Sequence, residues 1–229
     1  MVSGPPAPIL LAWSSGKDSA WSLHALRQDP ALEVVGLLTT LNEAYDRVAM
    51  HAVRRALLEA QAEAAGLPLV VVRIPSPCPN ETYEAAIAAA VADARGRGIT
   101  GIAFGDLFLE DIRRYREKQM SGTGLSLHFP LWGRPTAALA EAMIDGGLQA
   151  RITCVDPRVM PEDLAGAAFD RALLARLPAG VDPCGENGEF HTFAWDGPMF
   201  RRPVPVRGGE VVTRDGFVFA DLIPVEAAA

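Results

Sequence analysis

The chain carries 229 residues, 49% of them apolar and 21% charged, with a formal net charge of −7. That balance excludes a disordered or collagen-like polymer and argues against non-specific binding to a polyphosphate backbone. Cys78, Cys154 and Cys184 stand far apart with no CxxC pair, which excludes a disulfide framework or a zinc knuckle as the organising device.

No run of about twenty apolar residues is available to span a bilayer. The opening stretch MVSGPPAPILLAW has no positive n-region and too short an apolar run for a signal sequence, so a cytoplasmic chain is expected. An apolar run over 9–13 is followed by Ser14, Ser15 and Gly16 and a helix-like stretch over 17–27, which reads as strand, tight turn, helix. Residues 33–39 form the next strand. Residues 46–65, with Val48, Val53, Leu57 and Leu58 among many alanines, form the next helix, stopped by Gly66 and Pro68. Residues 69–74, apolar but for Arg73, read as a strand, 81–97 as an Ala-rich helix and 101–104 as a fourth strand. Apolar strands without alternation, separated by helices, predict a parallel sheet covered on both faces with right-handed crossovers.

The rhythm changes after a charged helix over 109–120. A short segment at 125–131 leads to a helix over 135–144, a strand over 148–155 and a short helix over 169–177. Asp215-Gly216 between two Val/Phe-rich runs predicts a β-hairpin over 207–223. The expected division is 1–131 for an α/β domain and 132–229 for a smaller α+β domain.

Ser14, Ser15, Gly16, Lys17, Asp18 and Ser19 lie where the first parallel strand ends and a helix begins, the edge at which such folds bind ligands. Orphan N–H groups and the positive end of the helix dipole make phosphate the expected guest. The hexapeptide is neither a Walker A loop nor a GxGxxG fingerprint. Lys17 is suited to neutralise charge on a leaving pyrophosphate, and Asp18 to orient Lys17 or to hold Mg²⁺. The alternative is a plain helix cap. Asp106, closing the fourth strand on the same edge, reads as a nucleotide or metal contact or as a cap. In 109–120 the Glu110/Arg114 and Arg113/Glu117 spacings fit a salt-bridged outer face.

The polar run Pro183-Cys184-Gly185-Glu186-Asn187-Gly188-Glu189-Phe190-His191-Thr192 is not called for by core packing. Glu186, Asn187, Glu189, His191 and Thr192 offer acceptors for an ammonium or amine and a base to deprotonate it; a glycine turn entering a strand is the alternative. Cys184 has no evident activating partner and is left outside the catalytic set. No metal-ligand spacing joins the histidines.

The sequence SSGKDS resembles the SGGxDS pyrophosphate loop of the N-type ATP pyrophosphatases, with Ser15 in place of the first glycine. GDLFLEDIRRYRE and GENGEFHT resemble two segments of the diphthine–ammonia ligase subgroup, and His51 lies in an MHxV-like stretch of the same kind. The resemblance implies a five-stranded HUP-type α/β domain followed by a substrate-side domain. It implies an amide-forming ligase that uses ATP and Mg²⁺, splits ATP to AMP and pyrophosphate, adenylates a small-molecule or protein carboxylate, and transfers ammonia or an amine. On that basis Ser14–Ser19, Thr39 and Asp106 are expected at the nucleotide. Lys17, Asp18, Glu189 and His191 are expected in catalysis, and His51, Arg113, Arg116, Glu186, Asn187, Glu189 and Thr192 at the substrate. The Trp132-Gly133 pair matches a hinge of that subgroup and otherwise reads as a buried aromatic at the seam. Two alternatives stay open: a tRNA- or nucleobase-modifying pyrophosphatase, which needs a local basic patch such as Arg201, Arg202 and Arg207, and a nucleotide sensor without turnover. No membrane partner is expected, the charge argues against nucleic acid, and a homodimer is admitted.

Overall fold

The computed structural model describes residues 4–48 and 52–225; His51 lies outside the described residues. Five strands run parallel, in the order β4 (Leu69–Ile74), β2 (Leu32–Asn42), β1 (Ala7–Ala12), β5 (Gly101–Ala103) and β6 (Ser126–His128). The short β3 (Arg47–Val48) adds antiparallel to the end of β2. Helices α1 (Lys17–Leu26), α2 (Arg55–Ala65), α3 (Asn80–Gly96) and α4 (Glu110–Met120) connect and cover them. This is the parallel sheet covered on both faces that the unalternating apolar strands predict, and it agrees with the five-stranded HUP-type domain that the resemblance implies.

Alternation along β1 assigns its residues to two cores, because successive side chains of a strand point to opposite faces. Ile9 and Leu11 join one apolar cluster with Leu23 of α1 and Leu57 and Leu58 of α2. Leu10 joins the other, with Ile87 and Val91 of α3 and Met120 of α4.

The remaining chain contributes α5 (Thr136–Asp145), β7 (Gln149–Val155), a short α6 (Arg171–Leu174), β8 (Phe190–Asp196), β9 (Val206–Arg214) and β10 (Phe217–Pro224). The four strands form an antiparallel sheet in the order β8-β7-β10-β9. Asp215 and Gly216 hold φ of 52° and 82° between β9 and β10, the left-handed pair that a two-residue hairpin turn requires. Phe190 and Phe193 of β8 and Val218 and Leu222 of β10 enter the same apolar cluster as Ile9 and Leu11. The second sheet therefore packs on the α1/α2 side of the first and brings β8 alongside the end of β1.

Two predicted helices are clearly shorter than expected, and the one read over 169–177 keeps only Arg171–Leu174. The helix read over 46–65 begins only at Arg55. Val48 N–H bonds instead to the Val53 carbonyl, and Asp46 and Ala52 hold positive φ. Arg47 and Arg54 both donate to Asp221 on β10, so a contact far along the chain overrides local helix propensity.

Candidate active site

The loop between β1 and α1 sits at the carboxyl edge of the parallel sheet and makes the turn with a strained residue. Ser15 has φ 70°, a left-handed conformation that costs a non-glycine residue roughly 1–2 kcal/mol. It is fully buried, and its hydroxyl has no hydrogen-bond partner among the described residues. Gly16 is the N-cap of α1 and supplies no side chain to its first turn. The Ser14 and Ser19 hydroxyls lie 3.2 Å apart, and Ser19 donates to the Gly16 carbonyl at 3.0 Å. A Cβ on Gly105, just after β5, would meet the Asp18 carbonyl carbon and Ser19 nitrogen at 3.2 Å. Glycine at 105 is what lets the β5 edge close up on the start of α1.

A cavity of about 300 Å³ opens here. One wall is polar, with Ser14, Lys17, Asp18, Ser19, Asp106, Glu186, His191 and Thr192; the other is largely apolar, with Leu38, Val48, Ile87, Ile102, Phe104 and Met120. Thr39, Arg116 and Gln119 also line it. Several of its polar atoms are buried without a hydrogen-bond partner among the described residues: Asp18 Oδ1, Asp106 Oδ2, Thr39 Oγ1, Arg116 Nε and Gln119 Nε2. Arg116 Nε stands 3.7 Å from Asp106 Oδ2, beyond hydrogen-bond range, with the guanidinium over the Phe104 ring. Buried groups left in this state are completed by a ligand or by solvent.

Lys17 lines the cavity but also ties its two sides together. Its side chain is 2% exposed. The ammonium donates to Asp18 Oδ2 at 2.8 Å and to the Cys184 carbonyl, and faces the rings of Phe169 and Phe190 at 5.6 and 5.4 Å. Burial opposes the charge, but the acidic groups around it, Asp18 foremost with Cys184 and Glu186, together outweigh burial and hold the ammonium above the ordinary lysine value. The Lys17 backbone N–H donates to Thr192 Oγ1 at 3.0 Å, and Ala194 N–H to the Ser15 carbonyl at 3.0 Å. The β1–α1 loop is thus bolted to β8.

The polar run before β8 divides into groups that build the loop and groups that face the cavity. Gly185 and Gly188 hold φ of 69° and 87°, and a Cβ on Gly185 would collide with the Phe190 ring. Asp182 accepts from the backbone of Cys184 and Glu186. Glu189 accepts from the backbone N–H groups of Asp182 and Asn187 and from the Asn187 amide, at 2.9–3.0 Å. Its carboxylate is spent on its own loop and does not line the cavity, and neither does Asn187. The carboxylate that does is Glu186, whose Oε1 accepts from Leu107 N–H at 2.7 Å. Burial, reinforced by the Asp18 and Asp106 carboxylates and opposed by that N–H and Lys17, pushes its pKa up to about 7. Burial and the Lys17 charge push His191 down to about 4, so its imidazole is neutral near pH 7. The Cys184 thiol is pushed up to about 12, chiefly by burial, and is unreactive.

The site expectations therefore separate. Ser14, Lys17, Asp18, Ser19, Thr39, Asp106, Arg116, Glu186, His191 and Thr192 converge on one cavity. Arg113 does not: it stacks between Phe129 and Trp132 at 4.8 and 4.7 Å and pairs with Glu117, in a separate hollow. Gln61, absent from the expectations, sits fully buried beneath the loop on α2. The signal was present, since a glutamine occupies the apolar stripe of α2 between Leu57, Leu58 and Ala65.

Asp18 Oδ1 and Asp106 Oδ2, hard oxygen donors with no hydrogen-bond partner among the described residues, fit a magnesium ion. No cluster of three or more His, Cys, Asp or Glu residues able to cage a metal occurs among the described residues. No helix among them is long and apolar enough to cross a membrane.

Comparison with known proteins gives two matches along the chain. The diphthamide synthase N-terminal domain family matches residues 8–127, and the diphthamide synthase C-terminal domain family residues 135–220. Similar curated proteins include the diphthine–ammonia ligases of Bos taurus and Homo sapiens, each 33% identical over 128 residues, which is 53% of this chain and 48% of theirs. That of Danio rerio is 30% identical over 128 residues, 53% of this chain and 50% of the relative. The chain spans about half the length of the curated relatives it matches.

Proposed function

The chain belongs to the diphthamide synthase family, and from that premise we propose that it is an ATP-dependent amide-forming ligase working at the cavity between the β1–α1 loop and β8. The observation that carries the proposal is that the nucleotide-type loop and the Glu186–Thr192 segment face one space and are hydrogen-bonded to each other. A site that only holds a nucleotide has no use for the second constellation.

ATP lies with its base against the apolar wall of Leu38, Ile87, Ile102 and Met120 and its phosphates over Ser14, Gly16 and Ser19. Asp18 and Asp106 would hold the magnesium ion that accompanies ATP, which would supply charge withdrawal from the phosphate oxygens. An acceptor carboxylate oxygen attacks the α-phosphorus, the bond to the bridging oxygen breaks, and pyrophosphate leaves beside the Lys17 charge and the first-turn N–H groups. Ammonia then adds to the acyl carbon, the bond between that carbon and the oxygen bridging to phosphorus breaks, and AMP leaves with that oxygen and the electron pair. The nitrogen's surplus proton goes to Glu186, a cavity carboxylate whose pKa is pushed up to about 7. His191, neutral and weakly basic, serves as a hydrogen-bonding wall, and Glu189 as the staple that keeps Glu186 in place. Diphthine is the acceptor implied by the relatives' names; the chemistry asks only for a carboxylate.

Cytoplasmic residence goes with the proposal. The tRNA-modifying alternative gains no support, because Arg202 pairs with Glu63 and the Arg201 guanidinium lies against Gly66 at the end of α2. The test is incubation with ATP, Mg²⁺, ammonium and either a diphthine-bearing elongation factor or free carboxylates. AMP, pyrophosphate and amide in equal amounts are expected. Accumulation of ADP, or bound ATP unchanged in every mixture, overturns the ligase reading.

A further inference from the structure

The strained carbonyl of Ser15 is held from two sides, and one of the two holders is a buried side chain with no part in the chemistry. Gln61 Nε2 donates to the Ser15 carbonyl at 3.0 Å and to the Ala194 carbonyl at 2.6 Å, while its Oε1 accepts from Trp13 Nε1 at 2.9 Å. Both amide hydrogens and the amide oxygen are thereby used. The network itself fixes which end of the amide is which, since the opposite orientation would set an oxygen against two carbonyls.

Peptide planarity gives this arrangement a consequence for ligand binding. The carbonyl of Ser15 and the N–H of Gly16 belong to one peptide plane and point in opposite directions. Gln61 and Ala194 together draw that carbonyl into the seam between α2 and β8. The Gly16 N–H is turned the other way and donates a long hydrogen bond of 3.4 Å to Ser14 Oγ, whose residue lines the cavity. Gly16 caps α1, so this N–H is the leading donor of a helix N-terminus, where phosphate oxygens are bound. A residue with a Cβ leaves the left-handed region when nothing enforces it. Ser15 is the residue with a Cβ, and the enforcement comes from behind.

We infer that Gln61 is a positioning residue for nucleotide binding: by fixing the Ser15 carbonyl it holds Ser15 left-handed and aims the Gly16 N–H at the phosphates, with Trp13 locking the amide. The inference rests on the nucleotide reading above and deepens it. It accounts for how serine stands where the pyrophosphate loop of similar proteins carries glycine.

The experiment is a double-substitution cycle on the full chain, read as the Kd of α,β-methylene-ATP by calorimetry, with a melting curve for each variant. Gln61→Met keeps length and burial and removes both donors. In the Ser15 background it is expected to weaken binding about 5- to 30-fold, the factor by which a non-glycine residue disfavours the left-handed region. In a Ser15→Gly background the same substitution is expected to change Kd by less than about twofold, because glycine holds that region unaided. Trp13→Phe, which keeps the fold's aromatic packing, is expected to weaken binding in the same direction by less, and again only beside serine. Loss that Ser15→Gly does not cancel, or Gln61→Met binding as the wild type does, overturns the inference; should Gln61→Met fail to melt cooperatively, the Trp13→Phe pair decides on the same criterion. Absence of binding by the wild type overturns the nucleotide reading itself and this inference with it.

Discussion

Lys17 offers the sharpest separation between holding the site together and acting in it. Its ammonium is buried between Asp18, the Cys184 carbonyl and two aromatic rings. Lys17→Met keeps the length of the side chain and its contact with Phe169 and Phe190, but leaves the Asp18 carboxylate without its cation. Removing one member of a buried pair costs about 3–5 kcal/mol, because the remaining charge is uncompensated. With an m value of about 2–3 kcal/mol/M, suited to a chain of this size, the urea midpoint falls by roughly 1–2 M. Lys17→Met combined with Asp18→Asn has no stranded charge. Only the Cys184 carbonyl loses its donor, so the net loss contracts to about 1–3 kcal/mol. Pyrophosphate release behaves differently, since the cavity has lost its lysine in both variants: neither releases it at a measurable rate with acceptor present. Urea titration followed by tryptophan fluorescence gives the stability series, and coupled pyrophosphate detection the activity. A Lys17→Met protein as stable as the wild type refutes the keystone role, and pyrophosphate release by the neutral double variant refutes the need for the charge.

Glu186→Gln is expected to leave pyrophosphate release intact while slowing amide formation by about 10²–10⁴-fold; in the wild type, amide formation per free ammonia should rise with pH up to about 7 and then level, a limb that single-turnover profiles should find missing in the variant. Because the folded protein holds the Glu186 proton more tightly than the ordinary carboxylate value of 4.5, this group favours folding less as pH rises from there through about 7. Removing it should flatten stability over that window in urea titrations. Thr192→Val removes the hydroxyl that accepts the Lys17 N–H and should cost about 1–2 kcal/mol by the same measurement. Asp221→Asn loosens the grip of β10 on Arg47 and Arg54 for about 1 kcal/mol. Burial pushes Asp221 up but the two guanidiniums outweigh it and hold the carboxylate low. Its contribution is therefore complete above the ordinary aspartate value of 3.8 and lost as pH falls below it, which acid titration of the wild type against the variant should show.

What could be read from the sequence was local, and what could not be read was decided across the chain. The strand–turn–helix at Ser14–Ser19 is legible because its apolar run, small residues and helix start are contiguous. Val48 and Val53 sit among alanines and arginines and invite a helix, yet Val48 N–H bonds to the Val53 carbonyl and α2 starts only at Arg55, because Asp221, on a strand far downstream, captures Arg47 and Arg54. Arg113 and Arg116 lie three apart on α4 and read alike. Their separation comes from the rings they meet, Phe129 and Trp132 for one and Phe104 for the other. Glu186 and Glu189 are equally polar letters in one motif. The left-handed glycines at 185 and 188 turn the chain so that Glu189 must satisfy the loop's own N–H groups, and Glu186 is left to face the cavity.

The same loop shows why the two halves of the site act as one. A phosphate-binding turn that needs only its own helix can be glycine-rich and self-supporting. Here the turn carries Ser15, and its conformation is secured by Ala194 and Gln61, its first helical N–H by Thr192, and its lysine by the Cys184 carbonyl. Every one of these fastenings except Gln61 comes from the segment that also presents Glu186 and His191. Displacing β8 would therefore release the β1–α1 loop and move Glu186 away from the cavity together, which on the proposed function loses phosphate binding and the proton acceptor at once. Such an arrangement favours chemistry in which activation at phosphorus and attack by nitrogen occur within one closed space, because an acyl-adenylate formed beside an undocked β8 would meet water before it met ammonia.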